Sequence, residues 1–110
     1  MIPMKKAMGM ILTGRRVSAR EGFELGFVTE VVPQDQALEA AKRWAAMILE
    51  CSPMAVRASK QASYRGLGEP TLERAMRTVY PAQQANIESQ DYIEGPKAFA
   101  EKRKPDWQNR

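Results

Sequence analysis

The sequence predicts a mainly α protein of five to six short helices with one short strand. Three observations predict it. Apolar residues recur at helical spacing in several windows, Gly and Pro punctuate those windows, and one run, Phe27 to Val32, carries the β-branched enrichment of a strand. The chain has 110 residues, enough for one modest domain that buries roughly two-thirds of the surface exposed when unfolded.

The elements follow in order. Ile2, Ala7, Met8, Ile11 and Leu12 predict a short helix that stops at Gly14, the residue type that most readily takes a left-handed turn. Ser18 to Glu21 has the capping-box pattern, in which Ser18 bonds the Glu21 N–H and Glu21 reaches back. The second helix should turn Phe23 and Leu25 inward and stop at Gly26, before a strand over Phe27 to Val32 that Pro33 closes. Asp35 is the expected N-cap of a third helix, with Leu38, Ala41, Ala45, Ile48 and Leu49 on one stripe. Ser52-Pro53 restarts the chain as cap and first helical residue, and Ala55, Ala58 and Ala62 form a small-residue stripe that permits close approach of a neighbour. After the break at residues 66–70, Leu72, Ala75, Met76, Val79, Gln83 and Ile87 predict one long helix kinked at Pro81. A joint is expected from Ser89 to Pro96, a last short helix from Lys97 to Arg103, and a loose tail to Arg110. A single strand has no partner in its own chain, the first physical sign of an incomplete domain.

Composition narrows the chemistry. Histidine is absent, which removes the usual general base near neutral pH and the commonest metal ligand. Cys51 is the single cysteine, so no internal disulfide or cysteine-based zinc site can form, and burial as a small structural residue is the expectation for it. There is no Ser–His–Asp set and no G-x-x-x-x-G-K-[ST] loop. Glu21 and Glu24 are carboxylates that capping and solvation account for. No stretch approaches the ~20 apolar residues of a membrane span and no secretory leader is recognisable, so a soluble, cytoplasmic chain is expected. The net charge of +4 suits a solvated surface or an anionic ligand. The cluster Lys102-Arg103-Lys104 lacks a nucleic-acid motif, and no nucleic-acid or membrane partner is expected.

Specific stretches carry a resemblance. Leu12-Thr13-Gly14 to Glu21, then Leu25-Gly26-Phe27-Val28 to Val32-Pro33, are followed by Ser52-Pro53-Met54-Ala55-Val56 with Lys60. The chain closes on Ser89, Asp91, Glu94-Gly95, Ala98-Phe99 and Glu101-Lys102-Arg103-Lys104-Pro105. In order and spacing these resemble the C-terminal region of the crotonase (enoyl-CoA hydratase/isomerase) superfamily, over nearly the whole chain. Gly22 stands where the family usually has alanine, and Pro81 and Pro96 interrupt helices that are usually continuous.

The resemblance implies the C-terminal helical part of a crotonase-like fold. Residues 1–33 would end the core region as helix, helix and strand, and residues 34–110 would form a helical oligomerisation and CoA-closing region. It implies an acyl-CoA thioester as substrate, with no other cofactor and no metal, and a homo-oligomer, a trimer in the family. The family's oxyanion hole and proton-moving carboxylates lie upstream, so no catalytic residue carries over and the fragment should not catalyse alone. One site carries over by pattern. Phe99 and Lys102 match the aromatic and lysine that meet the adenine and 3′-phosphate end of CoA, and at i and i+3 they would share a helix face. From spacing alone they read as a packed Phe beside a solvated Lys, and it is the family-like ending that raises the CoA reading beside it. Lys60 reads as a surface lysine, and Arg15 and Arg16 as cations at a helix end or beside a CoA phosphate path. A rival reading is a free-standing helical oligomerisation and interaction module without catalysis.

Overall fold

Seven α-helices form where the caps and breakers dictate, in a computed structural model that describes residues 2–110. Helix α1 (Met4–Thr13) ends at Gly14, whose φ of 59° is the left-handed turn that glycine adopts at no steric cost. Helix α2 (Ala19–Glu24) is capped by Ser18, whose side chain accepts from the Glu21 N–H at 3.1 Å. Glu21 does not complete the reciprocal box. Its carboxylate instead takes both prongs of the Arg15 guanidinium, at 2.5 and 3.0 Å. Phe23 is exposed rather than turned inward.

The expected strand is absent: there is no strand among the described residues. The amides of Phe27 and Val28 both donate to the Gly22 carbonyl, at 3.1 and 3.2 Å, so the run folds back on α2 instead of extending. The β-branched composition was a preference for a pleated surface, and without a partner strand the local bonds prevail. A single 3-10 turn over Gln34–Gln36 contains Asp35, which therefore lies inside the turn and is not the cap of α3 (Ala37–Leu49).

Helix α4 (Pro53–Gly66) starts as expected, with Ser52 accepting from the Ala55 N–H at 3.3 Å and Pro53 in the first turn. The expected long kinked helix is two helices, α5 (Leu72–Arg77) and α6 (Pro81–Ile87). Helix α5 ends at Arg77, its C-cap Thr78 already extended at ψ 120°, and Pro81 holds Tyr80 in extended backbone, φ −89° and ψ 156°, as it opens α6. Helix α6 packs along α4 over the small-residue stripe, where Gln61 Oε1 accepts from the Ala82 N–H at 2.8 Å. Tyr80 is buried, its hydroxyl 3.3 Å from Glu69 and its ring under the Arg65 guanidinium.

Helix α7 (Gln90–Ala100) corrects the last expectation. Ser89 caps it by accepting from the Tyr92 N–H at 3.2 Å, and it runs through Pro96 without restarting. Pro96 removes only the one bond its missing N–H would make.

The chain divides into two compact units, Met1–Lys42 and Arg43–Arg110. Together they expose 9088 Å². A compact domain of this mass exposes roughly 6,100 Å², and two separate globules of these lengths about 7,300 Å². The excess is strongly apolar: Leu12, Leu38, Leu49, Leu72 and Met76 are each more than 60% exposed, at 75%, 65%, 80%, 76% and 78%. The apolar stripes of α3 and α5 are thus formed on their helices, with Leu38, Leu49, Leu72 and Met76 left open to solvent.

Candidate functional site

The residues singled out by sequence lie at the end of α7. Phe99 is the penultimate helical residue, with 87% of its surface exposed, so it is not a packed core aromatic in this chain. Lys102 lies two residues past the helix and does not continue its face. Glu101 is the C-cap, and Lys102 takes φ 53° in the left-handed region. The Lys102 N–H donates to the Phe99 carbonyl at 3.2 Å, and the Arg103 N–H to the Ala98 carbonyl at 3.1 Å. These two crossed bonds are a Schellman termination with lysine where glycine is the usual occupant.

Arg103 secures this turn to the middle of α7. Its guanidinium grips Glu94 with both prongs, at 2.5 and 3.0 Å, and its Nε reaches Glu101 at 2.6 Å. The Asp106 N–H adds a third donor to Glu94 at 2.8 Å. Arg103 first, then the Asp106 amide, hold the Glu94 carboxyl down at about 2, and the same pair raises the Arg103 pKa. Two-pronged guanidinium–carboxylate pairs fix geometry as well as charge.

The tail beyond Lys104 is not loose. Asp91 is 2% exposed. Its Oδ1 accepts from the Gln108 and Asn109 amides at 2.8 and 3.2 Å, and its Oδ2 from the Ser52 hydroxyl at 2.9 Å. Arg57 donates to the Asn109 side chain, and the Trp107 indole N–H to the Glu50 carbonyl at 2.9 Å. The Trp107 ring lies against Gly95, where an added Cβ would sit 3.4 Å from it.

Lys60 is exposed on α4, and Arg15 is engaged by Glu21. That pairing, with its hydrogen bonds foremost, lowers the Glu21 pKa and raises that of Arg15. Cys51 is exposed, contrary to the burial expected, with its Sγ 3.6 Å from the Met47 carbonyl. Among the described residues no cluster of His, Cys, Asp and Glu could hold a metal ion, and no helix is long and apolar enough to cross a membrane. Sequence reasoning passed over Glu94, Arg103 and Asp91 as supports. The spacing Glu94 to Arg103, nine residues across a helix end, carries no periodic signal that would single it out.

Comparison with known proteins decides what frame this geometry belongs to. The family described as enoyl-CoA hydratase/isomerase matches residues 1–110, the whole chain. The chain belongs to the enoyl-CoA hydratase/isomerase family. Within the family it is 38% identical over 108 residues to a carnitinyl-CoA dehydratase from Salmonella typhi, covering 92% of this chain and 40% of that protein. A short-chain enoyl-CoA hydratase structure from Novosphingobium aromaticivorans superposes with TM-score 0.90 at 40% identity, over 99% of this chain and 42% of that one. An enoyl-CoA hydratase/isomerase structure from Mycobacterium paratuberculosis gives TM-score 0.89 at 36% identity, over 99% and 43%. This family member thus spans about two-fifths of the length of the relatives it matches, and its helices are those of crotonase-fold subunits.

Proposed function

We propose that this chain is the C-terminal assembly and acyl-CoA-closing part of an enoyl-CoA hydratase/isomerase enzyme acting on acyl-CoA thioesters. The observation that carries the reading is the family match across all 110 residues combined with coverage of only 40% of a full-length relative. The excess apolar surface supports it, because helices with open stripes call for a covering body, about 25 cal/mol for each Å² buried. That body is the rest of the subunit and its neighbours in a homo-oligomer. Catalysis would reside in the upstream part, and this chain alone would be inactive.

Within that enzyme, Phe99 and Lys102 would meet the nucleotide end of CoA. An exposed ring can stack on adenine, and an ammonium beside it can meet the 3′-phosphate. Their pairing through the crossed-bond turn supports this assignment, since it holds the two residues in one rigid unit. The test has two steps. The intact mass of the endogenous protein should be about two and a half times that of this chain, the inverse of the 40% coverage. In that protein, Phe99→Ala and Lys102→Ala should each raise KM for an acyl-CoA about tenfold while kcat changes little. An endogenous mass equal to that of these residues would favour the stand-alone module instead, and unchanged KM in both variants would remove Phe99 and Lys102 from the site.

A further inference from the structure

We propose that the Glu94–Arg103 ion pair is a positioning device that holds the Lys102 turn, so that the lysine is presented for the 3′-phosphate of CoA. The inference rests on the reading of Lys102 given above, and adds two residues that act through the turn that carries the lysine.

The turn is one a lysine does not choose. A side chain at φ 53° is strained, and most chains put glycine there. The strain persists only where the surroundings over-determine the backbone. Here they do. Arg103 is the next residue, and its backbone N–H already closes the turn on Ala98. Its guanidinium is then fixed by four hydrogen bonds, two to Glu94, one to Glu101 and one to the Lys104 carbonyl. The Asp106 amide donates to the same Glu94 carboxylate, so the stretch from Arg103 to Asp106 is tied at both ends to one helical side chain. Both partners are only partly solvated, with 17% of the Glu94 side chain and 38% of the Arg103 side chain exposed. Lys102, lying between the Phe99 carbonyl and this clamp, has little backbone freedom left. A pre-set ammonium binds a phosphate without the ordering cost that a mobile lysine incurs.

The experiment compares binding of CoA and 3′-dephospho-CoA to the full-length enzyme by calorimetry. The wild type should prefer CoA about tenfold or more, the value of one charge-assisted contact. Lys102→Ala should abolish that preference. Glu94→Gln, and as a milder variant Arg103→Lys, should cut it to about threefold or less. Affinity for 3′-dephospho-CoA, the internal control for folding, should stay within about twofold. If both pair variants keep the wild-type preference while Lys102→Ala loses it, the positioning role is overturned and the lysine site stands. If the wild type and Lys102→Ala show the same ratio, the lysine site itself fails and takes the positioning role with it. A matching fall in affinity for both ligands in Glu94→Gln and in Arg103→Lys would mean a purely structural pair, and also overturns the proposal.

Discussion

Ser52 donates its hydroxyl to the buried carboxylate of Asp91 at 2.9 Å, across 39 residues of sequence. The same hydroxyl oxygen caps α4 by accepting from the Ala55 N–H, so one side chain starts a helix and ties it to another. Asp91 in turn holds the tail by two backbone amides. Asp91→Ala leaves a hydroxyl and two amides without their acceptor. It should destabilise the full-length protein by about 2–4 kcal/mol. Amide hydrogen exchange should show Gln108 and Asn109 losing protection first, and retention of that protection would contradict the assignment.

The Glu94–Arg103 pair makes a prediction about acid. The Glu94 pKa is lowered from 4.5 to about 2, so the folded state binds this proton less readily than the unfolded chain. A depressed carboxyl contributes stability that is complete above about pH 4.5 and disappears as pH falls towards 2. Urea midpoints measured from pH 7 to pH 2 should therefore converge for wild type and Glu94→Gln at the acid end. Above pH 5 the wild type should be the more stable. A constant gap across the whole range would mean that the carboxylate charge is not what the pair contributes.

Gly22 inverts the usual helix rule. Replacing a helical glycine by alanine normally stabilises by up to about 1 kcal/mol. At Gly22 an added Cβ would lie 2.7 Å from Val28 Cγ2 and 3.0 Å from the Phe27 ring. Gly22→Ala should therefore destabilise by about 1–2 kcal/mol, because the overpacking outweighs the helix propensity. In a Val28→Ala background the same change should be neutral or stabilising, which a double-mutant cycle in urea would read directly.

Lys102→Gly should separate stability from binding. Relief of the left-handed strain, less the added chain entropy of glycine, should raise stability by about 0.5–1 kcal/mol. Thermal unfolding should show the gain, and the same variant should lose CoA affinity if the ammonium meets phosphate. A loss of stability would mean that the lysine side chain supports the turn.

The parts of the fold legible in the sequence were those set by local chemistry. Gly14, Ser18, Ser52 and Pro53 each have one short-range job, and the structure places each at the cap or stop expected of it. The alanine stripe of α4 also read correctly, since small side chains admit a close neighbour wherever that neighbour comes from. Errors arose where a second preference competed. Between Thr78 and Tyr80 the backbone runs extended and Pro81 opens a new helix, so the expected kink is a break. At Pro96 the reverse held, and one missing bond was too little to stop a helix capped by Ser89. Phe27 to Val32 had the composition of a strand but no partner to pair with. Phe99 and Lys102 are candidates by motif alone, and the turn that carries them was not legible, because a left-handed lysine has no sequence signature. Asp91 and Glu94 were invisible as supports, since their partners lie 9 to 39 residues away.

The solvent-open thiol beside the docked tail provides a built-in optical gauge. Cys51 and the Trp107 indole line the same open cleft, next to the Glu50 carbonyl that the indole N–H bonds. Cys51 is the single cysteine of these 110 residues, so within them a fluorophore attached to a thiol occupies one known place. With Trp44 replaced by Phe, Trp107 emission passed to that dye would report whether the tail is seated, and would follow its release in real time as acid or denaturant is added.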